Sequence, residues 1–256
     1  MTRHFLIIGA QRCGTTYLHS LLDAHPDITL ARPAHPEPKV FLSDRSVADG
    51  LACYRETYFA HATTEGFLGE KSASYIEDPE AASRAAAVLG DPQILVVLRD
   101  PVQRAVSNWR YSTDNGLEDR PLETALRQNL AGERPWDPSA TSVSPYAYLE
   151  RGRYVNYLRP WLSVFPTDTS VYFLSDLTRD DTAIGELYER LGVDSAFRPS
   201  QHDRRVNQSR EAAPILSTEL LELVQGYFES SDAALSRLLG RKLPWCETTR
   251  RGGPDG

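Results

Sequence analysis

Two kinds of segment alternate along the chain. Short continuous apolar runs, "HFLIIG" (4–9), "QILVVLRD" (93–100) and "SVYFLSDL" (170–177), read as buried parallel strands. Longer stretches with helical period separate them. Leu18, Leu21 and Leu22 share one face, and that pattern stops at "AHPD" (24–27). Helices are also predicted over 47–59, 79–90, 101–112, 121–130, 153–165, 181–192 and 216–240, the fifth with an internal Pro160. "GFLGEKSASYI" (66–76) reads as a strand end running into a loop. The proline-rich "ARPAHPEP" (31–38) and the Pro/Ser-rich 132–145 are loops, the second a candidate lid.

This order predicts an α/β fold of three layers, a central parallel sheet flanked by helices, in one domain over 1–246. The tail, 247–256, is expected to fray. Ligands bind beyond the carboxyl ends of such strands, so the ends of 5–9 and 93–99 are the places to search.

Composition narrows the function. The 256 residues carry a net charge of -7, from 28 Lys and Arg against 35 Asp and Glu. That balance argues against nucleic acid or an anionic membrane surface as partner, since both need a basic excess. No run approaches the ~18–20 apolar residues of a membrane helix. Cys13, Cys53 and Cys246 have unrelated spacings, which suggests a reducing compartment and neither a disulfide framework nor a metal site. A cytoplasmic protein is the expectation.

"GAQRCGTT" (9–16) links the first strand to the first helix. It matches a triphosphate-binding loop except that Thr15 replaces the lysine after the second glycine, which makes the fold P-loop-like. A loop bounded by glycines can wrap backbone N–H groups round an anion at a helix N-terminus. The backbone of Gln11, Arg12, Cys13, Gly14, Thr15 and Thr16 is the candidate anion site; both threonine hydroxyls and the Arg12 guanidinium add donors. Cys13 serves there as a small neutral filler. The strand at 93–99 ends in Arg99, where a magnesium-binding carboxylate is expected in a triphosphatase. Asp100, before Pro101, reads as a helix N-cap. Two anion subsites result, one at 9–16 and one around Arg99.

These residues resemble the PAPS-dependent sulfotransferases, whose donor is 3′-phosphoadenosine 5′-phosphosulfate (PAPS). "FLIIGAQRCGTTYLHSLLDAHPDI" (5–28) is similar to their 5′-phosphosulfate loop, and "VVLRDPVQRAVSNW" (96–109) to their 3′-phosphate motif. "EPKVFL" (37–42), "GEKSASYI" (69–76) and "GRYVNYLRPWLSVFP" (152–166) resemble the heparan sulfate branch and its bacterial relatives. The resemblance runs from residue 5 to about 177. It implies PAPS as co-substrate, 3′,5′-ADP as product and no metal requirement. It assigns the 3′-phosphate to Arg99 and Ser107, and the general base to Glu37, with His35 as a rival. Arg12 stands where the family commonly has lysine. Because arginine does not deprotonate, Lys71 of "GEK" is left as the group able to give a proton.

The function implied is transfer of a sulfuryl group to a hydroxyl, or less readily an amine, of a small-molecule or carbohydrate acceptor. A bacterial enzyme tailoring a natural product is the expectation. A small-molecule kinase or other NTPase is the alternative from the loop alone, and a non-catalytic nucleotide-binding protein is the third. "DRRVNQSR" (203–210) is a candidate closing loop over the nucleotide.

Overall fold

A computed structural model describes residues 3–63, 66–137, 139, 141, 143–179, 181–200 and 215–248. Five strands, β1 (Arg3–Gly9), β2 (Ile28–Leu30), β3 (Phe67–Lys71), β4 (Gln93–Leu98) and β5 (Thr169–Phe173), form one sheet in the order β2-β3-β1-β4-β5. Every pairing is parallel. The helices are α1 (Thr15–Asp23), α2 (Arg45–Phe59), α3 (Ala81–Leu89), α4 (Pro101–Asp114), α5 (Leu122–Leu130), α6 (Tyr154–Val164), α7 (Leu174–Arg179), α8 (Asp181–Leu191), α9 (Thr218–Leu239) and α10 (Pro244–Thr248).

The uniform apolarity of β1 and β4 has a direct cause: both faces of these strands are covered. Phe5, Ile7, Leu95 and Val97 point to one side, where they pack with Leu18, Leu21 and Leu22 of α1 and Ile184, Leu187 and Leu191 of α8. Leu6, Ile8 and Val96 point to the other and are equally inaccessible. Removing a ring from this core, as in Phe5→Ala, costs about 3–5 kcal/mol. Gly69 is required by the same packing, because a Cβ there would overlap the Phe5 ring.

The predicted helices and the strands at 4–9 and 93–98 are present; the run 170–177 is a correction. It splits into β5 and α7 at Phe173, and Thr169–Tyr172 are only half-buried. β5 is an edge strand. Its last partner is Leu98, opposite Phe173, and beyond that pair β4 turns away into α4, leaving Leu174 onward no ladder to join. Two short elements, β2 and α10, escaped periodicity because three and five residues carry too little of it.

The chain divides into two compact units, Met1–Leu98 with Tyr157–Gln208, and Arg99–Asn156 with Ser209–Gly256. The first holds the sheet. The second is built on α4, α5 and α9 around Ala105, Leu126, Tyr148, Val224 and Phe228. Among the described residues no helix is long and apolar enough to cross a membrane. The candidate closing loop 203–210 and residues 249–256 of the tail lie outside the described residues.

Candidate active site

Register brings the ends of three strands to one edge. Ile7 of β1 lies opposite Lys71 of β3, and Gly9 lies opposite Val96 of β4. The Ser72 amide donates to the Ile7 carbonyl at 3.1 Å, and the Ala10 amide to Val97 at 2.9 Å, so the two loops start from fixed points. Segment 9–16 then closes a tight turn, with the Cys13 amide donating to the Ala10 carbonyl at 3.1 Å. Cys13 is fully buried, as a filler should be.

Arg12 has φ +66° and Gly14 φ +95°, both in the left-handed region. Such backbone is costly for a side-chain-bearing residue and persists where surroundings over-determine it. At Gly14 the positive φ favours glycine, and a Cβ would also force Cδ1 of Leu174, 2.5 Å away, to move. Gly14 also caps α1 without a side-chain hydrogen bond. The first-turn amides of a helix have no intrahelical acceptor, and an anion suits them. Thr15 is buried and Thr16 exposed at that terminus. These features fit the 5′-phosphosulfate end of PAPS.

Glu37 and Lys71 meet beside this loop. Lys71 Nζ donates to Glu37 Oε1 at 2.7 Å, and the Ala73 amide donates to Oε2 at 3.0 Å. The Lys71 side chain is 5% exposed and that of Glu37 19%. His35, the rival base, is exposed. His19, one turn into α1, is pushed down to about 4 by burial; nearby Asp23 opposes the shift, while Lys71, Arg32 and His35 add to it. The Lys71 and Arg32 cations therefore both lie near His19.

Sequence reasoning missed Glu70. It is fully buried, and three hydroxyls reach it: Tyr54 at 2.8 Å on Oε2, with Ser72 at 2.7 Å and Tyr75 at 2.6 Å on Oε1. Burial pushes its carboxyl up, and the three donors oppose that shift. The available signal was an acidic residue inside a five-residue strand buried throughout.

In the second unit, Asp100 caps α4 by accepting from the Val102 amide at 2.8 Å and the Gln103 amide at 3.4 Å, with Pro101 at the first helical position. This is the predicted cap. Arg99, half-buried, donates through Nε to Oε1 of Gln103 at 3.2 Å, and its carbonyl accepts from the Tyr154 hydroxyl at 2.8 Å. Ser107 is half-buried two turns into α4. Trp109 donates to the Arg120 carbonyl at 3.0 Å, which gives it a packing role.

Comparison with known proteins identifies the family. The family model described as the sulfotransferase domain matches residues 2–210. Mouse heparan sulfate glucosamine 3-O-sulfotransferase 3A1 is 32% identical over 265 residues, covering 94% of this chain and 63% of that protein. The bifunctional heparan sulfate N-deacetylase/N-sulfotransferase 1 of Caenorhabditis briggsae is 29% identical over 274 residues, covering 96% of this chain and 31% of that protein. The chain thus spans less than two-thirds of the length of these curated relatives. A sulfotransferase from Alicyclobacillus acidocaldarius shares the fold with a TM-score of 0.76 at 22% identity, over 98% of this chain and 100% of that one. Most of the chain, including the 9–16 loop, the Glu37–Lys71 pair and Arg99, falls within one matched domain, and the chain belongs to the PAPS-dependent sulfotransferase family.

Proposed function

We propose that the protein moves the sulfuryl group of PAPS to a hydroxyl of a carbohydrate or small-molecule acceptor, with an amine as the second acceptor class. The observation that carries this reading is Glu37 held on Lys71 and the Ala73 amide, at the sheet edge that also bears the anion loop. The acceptor oxygen attacks sulfur as its proton passes to a Glu37 carboxylate oxygen. The new O–S bond forms while the bond from sulfur to the bridging oxygen breaks, and its electron pair leaves on the 5′-phosphate of 3′,5′-ADP.

Each residue has a distinct part. The 11–16 amides, Thr15, Thr16 and Arg12 take the 5′-phosphate and sulfuryl oxygens, where each well-aimed donor is worth about 2.7–4 kcal/mol in the barrier. Arg12 is a permanent charge, so Lys71 supplies any proton the leaving phosphate needs. Arg99 and Ser107 take the 3′-phosphate, a group ATP lacks. A carbohydrate acceptor is favoured because the relatives named above are heparan sulfate sulfotransferases. We place all of this in one domain over residues 1–246, in a bacterial cytoplasm, as a natural-product tailoring enzyme.

Thermal denaturation tests the donor class. Addition of 3′,5′-ADP raises Tm, and ATP with Mg²⁺ gives a smaller shift; the reverse order would favour the kinase reading.

A further inference from the structure

Glu70 plays no part in the chemistry above, yet two of its hydrogen-bond arms end on the segment that carries Glu37. The Lys39 amide donates to Ser72 Oγ at 2.8 Å, and Ser72 Oγ donates in turn to Glu70 Oε1. The Phe41 amide donates to the Tyr75 hydroxyl at 3.2 Å, and that hydroxyl donates to the same oxygen. Direction in both relays is forced. A backbone N–H can only donate, so each hydroxyl receives it on a lone pair and turns its own hydrogen to the carboxylate. The third arm differs. Tyr54 donates to the other oxygen, Oε2, and meets the segment through its ring, 5.6 Å from that of Phe41, a contact that Tyr54→Phe keeps.

The segment needs such a tether. Lys39 has φ +53°, a strained conformation for a residue with a side chain, held in place by the hydrogen bond its backbone N–H donates to Ser72 Oγ. Glu37 lies two residues upstream, with Pro38 between limiting backbone freedom. A hydrogen bond to a fully buried acceptor resists displacement by water better than a solvated one.

We infer that Glu70 is a positioning residue: through Ser72 and Tyr75 it fixes the backbone at Lys39 and Phe41 and thereby seats Glu37 against Lys71 and the Ala73 amide. The inference rests on Glu37 being the base. Glu70 touches neither donor nor acceptor in this assignment.

The Ala73 amide, bonded to Glu37 Oε2, reports where Glu37 sits whether or not the enzyme is turning over. Its hydrogen exchange is measured in Tyr75→Phe and Ser72→Ala, with Tyr54→Phe as the control that removes an equivalent buried bond from the same carboxylate. Sulfuryl transfer from ³⁵S-labelled PAPS to a heparan sulfate oligosaccharide is followed in parallel. The expected result is exchange at Ala73 faster by about tenfold in Tyr75→Phe and Ser72→Ala, with Tyr54→Phe within about twofold of the parent. Turnover falls by a similar factor in the first two, and KM for PAPS is unchanged. Glu70→Ala removes the shared acceptor of both arms; should it fail to fold, the arm variants still decide. If all three arm variants alter Ala73 exchange and turnover equally, or none alters them, Glu70 serves stability alone and the inference is overturned. Retained turnover in Glu37→Gln would remove the base assignment instead, a separate outcome from the seating that Ala73 reports.

Discussion

Lys71 and Arg99 each stand at or just past the end of a strand, yet their surroundings differ in kind. Lys71 is 5% exposed and faces the carboxylate of Glu37 at 2.7 Å. Arg99 is half-buried and is hydrogen-bonded to the neutral amide of Gln103. A cation paired with a carboxylate is oriented and can exchange protons with its neighbours; a cation set against a neutral acceptor keeps its full charge for a ligand. The first arrangement suits the reacting centre, and the second suits holding a phosphate that does not react.

Breaking the Glu37–Lys71 corner has the largest predicted effect. Glu37→Gln lowers kcat by about 10²–10⁴-fold and leaves the Kd for 3′,5′-ADP unchanged, measured by single-turnover assay and calorimetry. Next comes Lys71→Met, which lowers kcat by about 10²–10³-fold and also lowers Tm, because Glu37 loses its partner. Lys71→Arg sharpens the point: it keeps the ion pair but not the proton, so Tm recovers and kcat does not. Recovery of both would make Lys71 an electrostatic clamp only.

Arg99→Ala moves the opposite quantities. The Kd for 3′,5′-ADP rises about 10–10²-fold, preference over 5′-AMP disappears, and kcat at saturating PAPS stays near the parent value. Equal losses in kcat and affinity would erase the proposed division between the two cations.

The smallest effect concerns Asp232, in the same unit as Arg99. Burial, with a lesser contribution from the charge of Asp100, pushes its carboxyl up to about 6, against the Trp245 indole bond of 2.8 Å. The folded state therefore prefers the protonated acid. Stability from this group is greatest below about pH 4 and is lost as pH rises through 6. Asp232→Asn mimics the protonated form and should stabilise by about 1 kcal/mol at pH 8 with no gain at pH 4. Urea denaturation at the two pH values measures it, and a gain at both would assign the effect to packing.

Local chemistry made much of this molecule legible in advance. Continuous apolar runs in β1 and β4 reflect strands covered on both faces, and Asp100 before Pro101 is a cap whose logic is confined to four residues. The run 170–177 misled because the termination of β5 depends on where β4 stops, a property of the neighbouring strand. Glu70 was passed over for a similar reason. A glutamate in a strand looks solvated until the tyrosines that satisfy it, sixteen residues before and five after, are known to converge.

By itself the sequence determined the alternation of strand and helix, the glycine-bounded loop at 9–16 and the arginine just past β4, all features written within one element or one turn. Only the tertiary structure decided that Glu37 meets Lys71, 34 residues along the chain, and that the Lys39 and Phe41 amides reach hydroxyls that donate to Glu70. Spacing specifies neighbours along a helix or strand, whereas contacts between a loop and a distant strand end follow from parallel register, which brings residues together irrespective of their separation in sequence.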